Sequence, residues 1–289
     1  MNIKDDKMKD SEMKDSELKV LVRKGYGDIA RQGGSCCPSK GSCCGSASPE
    51  AISRKIGYSE EDLKAAPSGS NLGLGCGNPI ALASIKEGET VLDLGSGAGF
   101  DSFLASRKAG PKGRVIGVDM TPEMVERARE NAAKGNFGNV EFRLGELESL
   151  PVEDDSADVT ISNCVINLVP DKKKAFAEAF RVLKPGGRLM VSDMVLLRGL
   201  PDFVKQSAEA YVGCLSGAVE KERYLEIIKS SGFEDVEIIE ESILSLDLLK
   251  SDPIGQALVE KVSSGKEKEL EAMAATVSSI KVRARKPRR

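Results

Sequence analysis

The nine residues Val91–Gly99, V-L-D-L-G-S-G-A-G, constrain this 289-residue chain more than any other stretch. An apolar, β-prone run carries Asp93, and Gly95, Gly97 and Gly99 then crowd a tight turn. The run Phe100-Asp101-Ser102-Phe103-Leu104-Ala105 resumes as a helix. Glycine serves such a turn because it accepts open dihedrals and lets backbone approach a ligand closely. A glycine turn between a strand and a helix N-terminus is a cradle of the nucleotide-binding type. Its G-x-G-x-G spacing, with an acid two places before the first glycine, differs from the dinucleotide fingerprint. The competing reading is a plain strand–turn–helix with incidental glycines.

The flanking sequence alternates as a parallel α/β sheet requires. Strands are expected at Thr90–Leu94, Arg114–Met120, Val140–Leu144, Ala157–Asn163 and Arg188–Asp193. Helices are expected near Asp101–Ala109, Pro122–Lys134 and Asp171–Leu183, with Thr121 as N-cap before Pro122 and Leu183–Gly187 as a helix stop. Further helices are read at Pro49–Leu63, Ile80–Ile85, Leu200–Leu215 and Glu220–Ser230. Phe233–Glu241 alternates as a strand, and Thr276–Lys286 reads as a last, antiparallel one with Arg283, Arg285 and Lys286 as edge charges. Ser242–Ala275 between them reads as helix-rich. At the other end, residues 1–32 read as an exposed helix, frayed at its start, that serves as a solvated lead-in.

Composition narrows the chemistry. Histidine is absent, so any general base or metal ligand must be another residue type. Seven cysteines without a secretory leader favour thiol chemistry over a disulfide framework. Four of them, Cys36, Cys37, Cys43 and Cys44, lie in the loop-like G-G-S-C-C-P-S-K-G-S-C-C-G-S-A. A zinc clip there is an alternative, but adjacent cysteines do not easily both reach one tetrahedral ion. Cys76, Cys164 and Cys214 lie in three well-separated segments and can converge above one cofactor, although each alone also reads as a small buried hydrophobe. A net charge of −3, no tryptophan and few other aromatics give no case for a nucleic-acid partner. No apolar run is long enough to cross a membrane. A soluble cytoplasmic monomer is expected.

Asp119 ends the second strand about twenty residues beyond the glycine turn, where an acid accepts both hydroxyls of a ribose. Met120 is placed to pack on an adenine face. At the end of the third strand, Gly145-Glu146-Leu147-Glu148 offers a carboxylate to an adenine amino group and a backbone N–H to the ring. In this order the motifs resemble those of class I S-adenosylmethionine-dependent methyltransferases. The resemblance implies a Rossmann-like sheet with helices on both faces. It also implies cofactor contacts at Asp93, Gly95, Ser96, Gly97, Gly99, Asp119, Met120, Glu146, Leu147 and Asn163.

Within that superfamily the chain closely resembles the arsenite methyltransferases. The match runs from the G-S-C-C segment to Ala218, and no motif is matched beyond it. Its most specific parts are G-L-G-C-G-N-P, L-D-L-G-S-G-A-G-F-D, G-V-D-M-T, S-N-C-V-I-N-L-V-P-D-K and G-C-L-S-G-A. The resemblance implies trivalent arsenic held by Cys164 and Cys214, with Cys76 as a third thiol acting beside an N-terminal cysteine, for which Cys44 is the choice. It implies S-adenosylmethionine as methyl donor, arsenite and methylarsenite as substrates, and a reductant of the thioredoxin or glutathione type. Soft arsenic prefers thiolates, and its exposed lone pair attacks a sulfonium methyl without a general base, in keeping with a chain lacking histidine. A strand end or helix N-terminus nearby is expected to supply thiolate character. Quinone or sterol methyltransferases share the glycine motif and the L-K-P-G-G loop, but have no use for the three thiols. A thiol-based arsenic sensor would need a signalling or DNA-binding module, and no basic recognition helix is evident. Three parts are expected: an N-terminal helical and Cys-rich segment at 1–66, the cofactor- and arsenic-binding core at 67–218, and a C-terminal region at 219–289 completing the sheet.

Overall fold

A computed structural model describes residues 15–32, 48–205, 208–245 and 273–288. Cys36, Cys37, Cys43 and Cys44, and most of the helix-rich stretch expected before the last strand, lie outside the described residues.

Seven strands form one sheet: β1 (Thr90–Leu94), β2 (Arg114–Asp119), β3 (Val140–Leu144), β4 (Ala157–Asn163), β5 (Leu183–Leu196), β6 (Glu234–Ile243) and β7 (Val277–Arg285). Their order is β3-β2-β1-β4-β5-β7-β6. The first five are parallel, and β7 enters antiparallel between β5 and β6. The order reverses between β1 and β4, so a crevice opens there at the carboxyl ends of the strands.

Period-two alternation sends β1 to both faces. Leu92 and Leu94 join one core with Phe176 of α7 (Lys172–Val182) and Tyr224 of α10 (Lys221–Ser230). Val91 joins another with Ile80 of α4 (Pro79–Leu82) and Leu104 and Ala105 of α5 (Phe100–Ala109). Each fully buried aliphatic side chain contributes about 1.5–3 kcal/mol. Helix α6 (Pro122–Lys134) starts at Pro122 as expected, although Thr121 makes no side-chain cap bond.

Four expectations need correction. The helix read at Pro49–Leu63 is two helices, α2 (Pro49–Lys55) and α3 (Glu60–Ala65), parted where Gly57 takes φ +103°. The long helix read at Leu200–Leu215 is instead α8 (Asp202–Lys205) and α9 (Ala208–Val212). The Leu183–Gly187 stop does end α7, with Leu183 at its C-cap, but β5 begins there and not at Arg188, with the extra residues looped out between the Ala157–Leu183 and Val159–Arg188 pairs. Helix α1 (Asp15–Gln32) is not a solvated lead-in: Val22 is 2% exposed, and the helix packs on α6 and α9. Its buried stripe is Leu18, Val22 and Tyr26, one residue per turn among charges.

Candidate functional site

The crevice holds two adjoining cavities. The larger is walled by the glycine turn, by Asp119 and Met120 after β2, by Leu147 and Glu148, and by Asn163 and Cys164 at the end of β4. Gly95 is required twice, by φ +69° and because a Cβ there would lie 2.4 Å from Val165. The Gly97 N–H donates to Asp119 Oδ2 at 2.9 Å and the Thr121 N–H to Oδ1 at 2.8 Å, which fixes that carboxylate at the rim.

Three carboxylates face this cavity with little to neutralise them. Asp93 is 2% exposed and accepts from Ser102 Oγ at 2.5 Å. Burial, then the charge of Asp101, pushes it up to about 8. Asp101 accepts from the Tyr58 hydroxyl at 2.6 Å, and burial pushes it up to about 6. Burial also raises Asp119 against its backbone hydrogen bonds. Beside them the Ser96 hydroxyl is buried with no partner among the described residues. Such a cavity suits a ligand that brings positive charge and hydroxyl or amine groups, and it disfavours a phosphate chain. Helix α1 roofs it with Lys19, Val22 and Tyr26, and Lys19 reaches Glu148 at 2.9 Å.

The smaller cavity shares Tyr26, Gly75 and Cys164 with the larger one and adds Cys76 and Cys214. Cys164 follows β4 with φ +57°, and Cys214 follows α9 with φ +62°. Side chains other than glycine seldom adopt this region, which costs of order 1 kcal/mol or more, so packing must hold both. The Cys214 thiol donates to Cys164 O at 2.8 Å. Cys76 is half-buried, its thiol 3.5 Å from Ser192 O. A single amide seats its loop: Asn163 Oδ1 accepts from Cys76 N at 3.1 Å, while Nδ2 lies 2.9 Å from Gly77 O, 2.9 Å from the Tyr58 hydroxyl and 3.0 Å from Asp101 Oδ2. Gly77 packs closely on β5, where a Cβ would sit 2.0 Å from Ser192 Oγ and force that hydroxyl to turn away. The Ser279 hydroxyl of β7 donates to Cys76 O at 2.8 Å.

Cys164 and Cys214 are both raised. Hydrogen bonding with Cys214, then with Cys76, together with burial, pushes Cys164 well above the usual thiol range. Hydrogen bonding to Cys164 draws Cys214 down, but burial and the charge of Asp193 outweigh it. The expected lowering toward thiolate is therefore not found at Cys164 or Cys214.

A methyltransferase-domain model matches residues 85–232. An arsenite methyltransferase from Halobacterium salinarum is 48% identical over 225 residues, covering 75% of this chain and 58% of that protein. A solved arsenic (III) S-adenosylmethionine methyltransferase from Chlamydomonas reinhardtii is 35% identical, with a TM-score of 0.59, covering 80% of this chain and 72% of that one. The chain belongs to the arsenite methyltransferase family. A ubiquinone/menaquinone C-methyltransferase from Enterobacter is 42% identical, but over only 114 residues, 39% of this chain.

The arsenite methyltransferase motifs assemble unevenly. Asp93, Gly95, Ser96, Gly97, Asp119, Met120, Leu147 and Asn163 all border the larger cavity, and Cys76, Cys164 and Cys214 converge on the smaller. Gly99 does not border either; it precedes α5 at φ +95° and lets Phe103 and Phe142 close in. Glu146 is also displaced. The chain turns after β3, with Ser149 N donating to Glu146 O, and the Glu146 carboxylate pairs with Lys19 at 2.7 Å and Arg23 at 3.2 Å. Glu148, 7% exposed, faces the cavity instead. Tyr58, Asp101 and Asp193 were not singled out from the sequence. Asp193 was detectable as a lone carboxylate in the apolar run L-M-V-S-D-M-V-L.

Proposed function

We propose that the chain methylates trivalent arsenic with S-adenosylmethionine. The observation that carries this reading is the meeting of Cys76, Cys164 and Cys214, from three distant segments, beside an acid-lined cavity. A quinone or sterol substrate gives no reason for that meeting. The chain spans 58% of the Halobacterium relative's length.

S-adenosylmethionine would supply an electrophilic methyl group on a sulfonium. Asp119 would accept from the ribose hydroxyls, Glu148 and Leu147 would meet the adenine, and Asp93 and the Ser96 hydroxyl would face its remaining polar groups. A positive ligand would favour the ionised forms of Asp93 and Asp101 and offset part of their desolvation cost.

Arsenite condenses with the Cys164 and Cys214 thiols. Each step breaks an As–O bond, forms an As–S bond and releases the thiol proton with the hydroxyl as water. Protonated thiols are therefore competent without a base. Cys76, on its glycine-rich loop, would displace a third hydroxyl in the same way. Thiolate ligands leave the arsenic lone pair free, and the protein's part is to aim it and exclude water. Helix α1 is placed to do the latter. Cys76 and an N-terminal cysteine, for which Cys44 is the choice, would yield two electrons as a disulfide to restore trivalent arsenic. A thiol reductant of the thioredoxin or glutathione type would reopen it.

The test is product speciation after incubating purified protein with arsenite, S-adenosylmethionine and a thiol reductant. Methylated arsenicals are expected; their absence while S-adenosylmethionine binds would overturn the assignment of arsenic as substrate.

A further inference from the structure

Asp193 is not used by the chemistry above, yet it lies against the thiols. The ligand atoms of Cys76, Cys164 and Asp193 are all within 4.8 Å of one another. Cys214 is not part of that triangle; its thiol turns to Cys164 O. An ion equidistant from the corners of such a triangle lies within about 2.8 Å of each, against about 2.3 Å for a zinc–thiolate and 2.0–2.2 Å for a zinc–carboxylate bond. Small side-chain rotations close the difference.

The carboxylate is prepared as a ligand. It is fully buried, and Oδ1 accepts from Asn167 Nδ2 at 2.9 Å and Met194 N at 3.0 Å. Oδ2 accepts from the Tyr224 hydroxyl at 3.0 Å, and a carboxylate oxygen has lone pairs enough to take a cation as well. Outer donors of this kind orient ligating carboxylates in metal sites. Among the described residues Asp193 has no ion pair. The nearby Lys172 ammonium turns instead to Val169 O at 3.1 Å and Asn167 O at 3.4 Å. A buried carboxyl with no cation bonded to it, beside two thiols, leaves room for a positive ion.

We infer that Cys76, Cys164 and Asp193 form a site for a divalent thiophilic cation, cadmium or zinc, that blocks the arsenic site. Two sulfurs and one oxygen suit these ions and not magnesium or calcium, which take oxygen donors. Binding forms two metal–sulfur bonds and one metal–oxygen bond and releases to solvent the two thiol protons, together with any proton on the carboxyl, with no change of oxidation state. The cation and arsenite share Cys76 and Cys164 but differ at the remaining position, Asp193 for the cation and Cys214 for arsenic. Cation binding to the resting protein stands apart from the proposed methylation; only the blocking rests on it.

The experiment titrates cadmium into the reduced full-length chain carrying Cys36, Cys37, Cys43 and Cys44 as serine, following the ultraviolet sulfur-to-cadmium charge-transfer band. One equivalent is expected. Cys76→Ser and Asp193→Asn should each weaken binding by about tenfold or more, the size seen when metal ligands or their supports are removed. Cys214→Ser should leave it unchanged. A lost band in Cys214→Ser, or an unaltered titration in Asp193→Asn, would overturn the site. If Asp193→Asn does not fold, Cys214→Ser decides alone, a retained band supporting the site and a lost one refuting it. Cadmium should also compete with arsenite and not with S-adenosylmethionine. A protein that binds cadmium as described but makes no methylated product would sink the proposed function and leave this site standing.

Discussion

Asp93→Asn isolates the energetic cost of the acid-lined cavity. The folded protein pushes this carboxyl up to about 8, while an unfolded one titrates near 3.8. A group raised on folding stabilises fully below its unfolded value, and that contribution is lost as pH rises through the folded one. At pH 8 the loss is on the order of 5 kcal/mol for an isolated carboxyl. The amide removes the charge but also weakens the bond from Ser102 Oγ, worth about 1.5–3 kcal/mol to a charged acceptor. The ligand-free variant should therefore be more stable than the parent at pH 8 by about 2–3 kcal/mol, or several degrees in Tm. At pH 5 the folded parent keeps the proton, the residual cost falls to about 1.5 kcal/mol, and the advantage should vanish. Urea unfolding at the two pH values checks this, with calorimetry expected to show weakened S-adenosylmethionine binding in the same variant. An Asn variant that is less stable at pH 8, or equally advantaged at both pH values, would refute the reasoning.

Cys164→Ser and Cys214→Ser should each abolish methylation of arsenite and methylarsenite, since a hydroxyl is a poor ligand for a soft centre; product speciation checks both. Cys76→Ser should lose arsenite activity and keep methylarsenite activity, because a substrate already carrying a methyl offers only two exchangeable positions. Equal loss on both substrates would remove Cys76 as third ligand. Glu148→Gln should weaken S-adenosylmethionine binding by about tenfold, as losing a charged hydrogen bond does, whereas Glu146→Gln should change it little in the same titration. Asn163→Ala should speed alkylation of Cys76, read by mass spectrometry, because it frees the loop that this amide seats; an unchanged rate would show that the loop is held by other contacts.

Much of the sheet was legible because its strands are short apolar runs bounded by glycine and proline, and even the antiparallel last strand declared itself by alternation. The three thiols could be named as a set by the family's motifs, with Cys164 and Cys214 following strands and Cys76 in a glycine-rich loop before the first one. What sequence could not supply was the path of the chain between elements. Period-two reasoning fails at Glu146 and Glu148, because the turn closed by Ser149 N aims the second acid inward and leaves the first to Lys19. Helix α1 hides its packing face among charges, and only the presence of α6 and α9 makes Leu18, Val22 and Tyr26 a buried stripe. Positive φ at Cys164 and Cys214 has no local signal, since it is imposed by surrounding packing on residues that do not favour it.

Because β7 lies between β5 and β6, the sheet cannot close in the order in which the chain is made. On a ribosome, β5 emerges with its outer edge unpaired, and β6 follows without a partner, since its ladder is formed with β7 alone. Both wait until residues 277–285 are free of the exit tunnel, and an unpaired edge in that interval invites association with other nascent chains. One tie of the Cys76 loop waits with them, as its carbonyl is capped by Ser279. The Cys76 loop thus gains its last tie to the sheet only after the cofactor cavity has been able to form from β1 to β4.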